Sequence, residues 1–165
     1  MATVMTRFAI GHVVRAGVMG GLLFAAFEML AAAVSISPAA FYTPLRMIAA
    51  IVLGPQALDP GYWPAMTGIV AVTVHLVLSI GFAVVFASIT SPDASEARLA
   101  VSGILFGTAL WLVNFYAIAA VAGWTWFPDH TNPAVQFVAH AFFYGCPIGW
   151  YLGRSRTVIV YPPTS

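Results

Sequence analysis

The sequence predicts an all-α membrane protein, a four-transmembrane-helix bundle built as two pseudo-repeated helical hairpins with a short outer interfacial helix. Three observations lead there. The first is composition: 61% of the residues are hydrophobic and 7% charged, with a mean hydropathy of +0.94, where a soluble domain carries about a quarter charged residues. The second is a set of four apolar stretches, each near the ~20 residues that a hydrocarbon core requires. The third is one polar or ionisable side chain inside each stretch: Glu28, His75, Asn114 and His140. Such residues are costly in lipid and face a bundle interior or a water-filled cavity, where they handle ions, protons or ligands. Residues 1–165 are expected to form one integral membrane domain.

The first span is expected over residues 16–36. Arg7 and Arg15, the apolar run and the small residues after it have the outline of a secretory signal. The run is longer than a signal's apolar region and contains Glu28, so a retained helix is expected. Ser37-Pro38 ends it. Next comes a long connection holding PLRMIAAIVLGP, an apolar run too short to cross and bracketed by Pro44 and Pro55. It reads as a short helix over about 44–54, lying in the outer interface or folded as a lid over the bundle.

The second span is expected over 65–89, closed by Thr90-Ser91-Pro92-Asp93, and the third over 99–122. GWTWFPDHTNP, from Gly123 to Pro133, separates the third from a fourth over 134–152. There Pro147 predicts a kink that frees a carbonyl. The tail from Val158 to Ser165 reads as a short extended end.

All six basic residues are arginine. Arg7, Arg15, Arg98, Arg154 and Arg156 fall on one side of these spans and Arg46 on the other. The positive-inside rule then makes both termini and the loop 90–98 cytoplasmic in a multi-pass protein of the bacterial inner membrane. Phe41, Tyr42, Tyr62, Trp63, Trp124, Trp126 and Phe127 are expected as an aromatic belt on the outer side, with Trp150 and Tyr151 anchoring the inner end.

Gly17, Gly21 and Glu28 share their spacing with Gly103, Gly107 and Asn114. Steps of four and seven stay on one helix face, and each glycine pair permits close backbone approach. His75 and His140 then occupy the second helix of each hairpin. Parallel repeats of this kind place a shared site near the midplane, at the repeat interface. With ~1.5 Å rise per residue, the four polar residues fall at a common depth.

Glu28, His75, Asn114 and His140 are the expected ligand- or proton-binding set, with Ser79, Gln136 and Tyr144 orienting them. Several uses suit these residue types. Glu28 with an imidazole makes a proton relay or small-cation site without a fixed cofactor. Glu28, His75 and His140 have the ligand chemistry for a metal ion such as zinc, iron or copper. His75 and His140 are also a pair for haem b, the glycines giving room for the porphyrin. The alternative is a structural one: an accessory subunit of a larger membrane complex, or a homo-oligomer, recruited through the face Gly145–Gly149–Gly153.

Other classes find no support. A net charge of +1 supplies no basic patch for nucleic acid. Cys146 is the single cysteine, which excludes an internal disulfide and a multi-cysteine metal site. His12 and His130 lie outside the apolar core. There is no nucleophile elbow, phosphate-binding glycine loop, HExxH or CxxC, so the expectation is a non-enzymatic protein.

The second span, VTVHLVLSIGFAVVFA (Val72–Ala87), resembles the corresponding helix of the YagU-like family of small bacterial inner-membrane proteins, in His75, then Ser79-Ile80, then Phe82-Ala83-Val84. The fourth span is similar through Gln136, where the family carries an acid, His140 one turn later, the aromatics after it, and Arg154 and Arg156. The third shares Gly103 and Gly107, while Asn114 departs from the pattern. The first helix and its outer loop lie outside the likeness. The resemblance implies a multi-span inner-membrane protein with no settled activity, loosely associated with acid tolerance.

Overall fold

The computed structural model describes residues 3–161. Strand β1 (Thr3–Arg7) leads into helix α1 (Ile10–Ser35), and a 3₁₀ turn at Pro38–Tyr42 leads into α2 (Thr43–Leu53). Helix α3 covers Pro64–Ile89, and α4 covers Glu96–Ala122. A continuous helical stretch over 133–154, here α5, runs back beside α4, and β2 (Thr157–Tyr161) follows. Three of these helices, α1, α3 and α4, are long and apolar enough to cross a membrane.

Local chemistry sets the boundaries. Gly54, with φ 84°, ends α2 just before Pro55. Gly123, with φ 71°, ends α4, and the next amide, Trp124 N–H, donates back to Ala119 O at 2.8 Å. Both positions need the left-handed backbone that glycine adopts without strain. Ser95 Oγ accepts from the Arg98 amide (3.2 Å) to start α4, and Asn132 Oδ1 accepts from the Ala134 amide (2.9 Å) to start α5.

α1 packs against α3 on one side and α5 on the other, and α5 packs against α4. The glycines make these approaches possible. A Cβ on Gly17 would stand 2.7 Å from Ile80 Cα, and one on Gly21 would stand 2.6 Å from Ser79 Oγ. A Cβ on Gly103 or Gly107 would collide with the carbonyl of Gly145 or His140. Gly149 meets the Leu99 carbonyl and Gly153 meets Glu96 in the same way. The face Gly145–Gly149–Gly153 is therefore spent against α4 inside the chain. Of the two uses that suit this face, packing within the protein or with a partner, the structure shows the first.

α3 and α4 behave differently. They touch through Phe86 and Phe106, whose rings are 5.4 Å apart near the connecting loop, and their backbones do not run close together along most of their length. Two cores result. One, at the loop end, contains Val13, Ala16, Phe86, Leu99, Ile148 and Leu152. The other gathers Met47, Ala50, Ala57, Ala71 and Trp126 at the opposite end. Trp126 donates its indole N–H to Met47 O at 3.2 Å and is 6% exposed, so it belongs to this core and not to an aromatic belt. Tyr42 and Trp63 are exposed.

Outward-facing residues of the long helices are large and apolar, among them Leu30, Val34, Ile69, Val77, Leu105 and Val121. A water-soluble surface does not carry so continuous an apolar coat. At the loop end β1 and β2 pair antiparallel, Thr3 opposite Tyr161 and Arg7 opposite Thr157. Arg156 donates to Pro92 O (3.2 Å) and Ala94 O (2.8 Å), tying the chain's end to the α3–α4 loop. The expected extended tail thus has a pairing partner as far as Tyr161; residues 162–165 lie outside the described residues.

Candidate functional site

Between the two cores lies a cavity of about 280 Å³. Helix α1 contributes Glu28, α3 His75, α4 Asn114 and α5 His140, so the four polar residues singled out in the sequence line one space. Ser79, Gln136 and Tyr144 line it too. The helix α2 covers one end through Pro44, Met47, Ile48 and Ile51, whose spacing is that of a single helix face.

Asn114 and His140 sit where the helices widen. Residues Val113–Ile118 of α4 and Ala139–Gly145 of α5 are π-helical. Such insertions are rare overall and frequent at functional sites. In α5 the widened turn ends just before Pro147, which supplies no N–H and would crowd the carbonyl four residues back in a regular helix. The expected disturbance around Pro147 takes the form of this π segment.

The hydrogen bonds are specific. Gln136 Nε2 donates to Glu28 Oε2 at 2.5 Å. Glu28 is 6% exposed, and its other oxygen, Oε1, is buried without a partner. His75 Nε2 lies 2.8 Å from Gly21 O, and His140 Nδ1 lies 2.8 Å from Gln136 O. A carbonyl only accepts, so those ring nitrogens carry the protons, and in a neutral ring the other nitrogen is an acceptor. Tyr144 donates its hydroxyl to Ser79 O (2.5 Å), and Ser79 donates its own to His75 O (2.7 Å).

This geometry corrects three expectations. Glu28 and the imidazoles do not form a proton-sharing pair: among the described residues the one carboxylate ion pair is Glu96 with Arg154, at 3.9 Å. The ring N–H groups go to backbone carbonyls, so neither imidazole has one left for Glu28, and Gln136 donates to one carboxylate oxygen in their place. Glu28, His75 and His140 also fail as a metal triad. No three His, Cys, Asp or Glu side chains gather as ligands among the described residues, and the Phe24 ring stands 5.5 Å from His75 and 4.7 Å from His140. Haem b between the two imidazoles meets the same obstacle. Its supposed room at Gly17, Gly21, Gly103 and Gly107 is filled by neighbouring helices.

Phe24 is the residue that the sequence reading passed over. It lies one turn before Glu28 on the same face, a signal that was present at i and i+4. Phe115 packs its ring edgewise to His140 at 5.5 Å, and Trp124 and Phe127 line the cavity.

Comparison with protein-family models, with curated proteins and with solved structures found no match. The likeness to the YagU-like family therefore rests on the quoted residues alone.

Proposed function

We propose that this chain is a non-enzymatic protein of the bacterial inner membrane that crosses the bilayer four times and binds a small, largely apolar ligand in the cavity between its helices. The observation that carries the proposal is that four helices each send a polar residue, Glu28, His75, Asn114 and His140, to a single apolar-walled space. Binding sites combine an apolar lining with a few convergent polar groups in just this manner.

Four crossings are favoured by the pairing of β1 with β2. Two ends that meet on one face require an even number of crossings, and 133–154 supplies the one beyond the three long helices. Two like hairpins are favoured by the glycines: Gly17 and Gly21 seat on α3 beside Ser79, and Gly103 and Gly107 seat on α5 beside His140 and Gly145.

A cavity of about 150 Å³ accepts benzene, so about 280 Å³ accepts a two-ring aromatic. The test titrates protein in lipid nanodiscs with 1-naphthalenemethanol, using empty nanodiscs to correct for partition. Saturable binding of about one molecule per chain is expected. Val74→Trp, which fills the cavity wall, is expected to abolish it. Val77→Trp on the lipid face of the same helix is expected to leave it. Absence of saturable binding, or equal loss in both variants, overturns the proposal.

A further inference from the structure

The cavity's polar groups are unbalanced in a way that specifies a ligand. Most donors among its lining residues are already committed to the chain: the hydroxyls of Ser79, Tyr144 and Thr131, the Gln136 amide and one N–H of each imidazole. What remains, apart from the Asn114 amide and the Trp124 indole, is a set of acceptors. Glu28 Oε1 is buried with no partner, and each neutral imidazole keeps one bare nitrogen. A buried acceptor without a donor carries the full cost of its lost hydration, and a carboxylate oxygen more than a neutral one. A bound donor would remove that cost.

The walls narrow the choice. Phe24, Phe82, Phe115, Trp124 and Phe127 line the space and no lysine or arginine does. Aromatic faces attract cations, the more so when water is excluded, whereas an anion would meet Glu28 without a countercharge. The way in is also apolar. Leu78 on α3 and Ile118 on α4 both line the cavity and are 39% and 44% exposed, so it opens along the seam between those helices. In a bilayer that seam opens into hydrocarbon, not onto the headgroup surface.

We propose that the ligand is a lipophilic ammonium ion bearing at least one N–H, which enters from the bilayer between α3 and α4 and donates to the Glu28 carboxylate among the aromatic rings. This inference rests on the ligand-binding reading above and adds the chemical class and the route.

The test compares three probes of one shape, 1-naphthylmethylammonium, 1-naphthalenemethanol and 1-naphthoate, on the full chain in nanodiscs of zwitterionic lipid, which avoids attraction to a charged surface. The ammonium is expected to bind about tenfold tighter than the alcohol, and the naphthoate weakest. Glu28→Gln is expected to remove the preference, bringing the ratio of ammonium to alcohol affinity from about ten down to about one. Equal binding of ammonium and alcohol by the unaltered protein overturns the inference and leaves the ligand cavity standing. So does a Glu28→Gln variant that binds the alcohol and keeps its preference for the ammonium. Should Glu28→Gln also lose the alcohol, the preference of the unaltered protein alone decides. Binding of none of the three overturns both this inference and the ligand-cavity reading.

Discussion

Glu28 is held by one side chain, and that makes Gln136 the residue whose loss should be felt first. The Gln136 amide donates to Glu28 Oε2 at 2.5 Å in a buried setting, while Oε1 already lacks a partner. Gln136→Leu would leave both carboxylate oxygens unsatisfied, with an expected loss of about 1–3 kcal/mol. Removing both partners is expected to restore most of it, because two apolar groups of similar shape make no unmet demand. The check is a double-mutant cycle, Glu28→Leu with Gln136→Leu, read as thermal unfolding of the detergent-solubilised protein. Additive losses would mean that the two side chains do not depend on each other. The importance of Glu28 was legible in the sequence, since a lone acid in an apolar run has few explanations. Its partner was misread. Histidine was the chemically obvious choice, but the imidazole N–H groups reach the backbone carbonyls of Gly21 and Gln136, and only the folded chain reveals that competition.

At the scale of the helices, glycines of one residue type have opposite meanings. Gly107 lies where an added Cβ would collide with the His140 carbonyl, whereas Gly81 has nothing within 4 Å. Backbone cannot step aside as a flexible side chain does, so Gly107→Ala is expected to push α4 from α5 and to cost about 1–3 kcal/mol by overpacking. Gly81→Ala should instead gain about 0.5–1 kcal/mol, because alanine loses less freedom than glycine on entering a helix. Thermal midpoints of the two variants moving the same way would count against the packing described. Helix limits were close to legible, because apolar length and Pro-Gly punctuation are local signals. The π segments at Val113–Ile118 and Ala139–Gly145 were not. An inserted residue turns the following face by about 100°, but in a helix that is apolar on nearly every side that shift leaves no readable break. The use of Gly145, Gly149 and Gly153 was half legible: small residues announce close contact without naming the helix that they contact.

For the whole molecule, the arginines and the fold make one joint demand. Arg98, Arg154 and Arg156 stand at the end where β1 and β2 pair and where Arg156 holds the α3–α4 loop. Arg46 donates to Asp59 O (2.8 Å) in the connection between α1 and α3, at the other end. Five of six arginines on one face predict that this face is cytoplasmic, and an even number of crossings predicts that the 55–63 connection is external. Both follow from a single topology, so they must hold or fail together. The measurement uses the one native thiol to advantage: in a Cys146→Ser background, Pro60→Cys and Asp93→Cys each place a lone thiol at an exposed loop position. A membrane-impermeant maleimide is expected to label Pro60→Cys in intact cells, and to label Asp93→Cys only after the membrane is opened. The reverse pattern would invert the protein and move α2 to the cytoplasmic side. Labelling of both loops in intact cells would break the link between α3 as a crossing helix and the cavity that it walls. The proposed seam opening into the bilayer between α3 and α4 would then fall with it, because that seam faces hydrocarbon only if both helices cross.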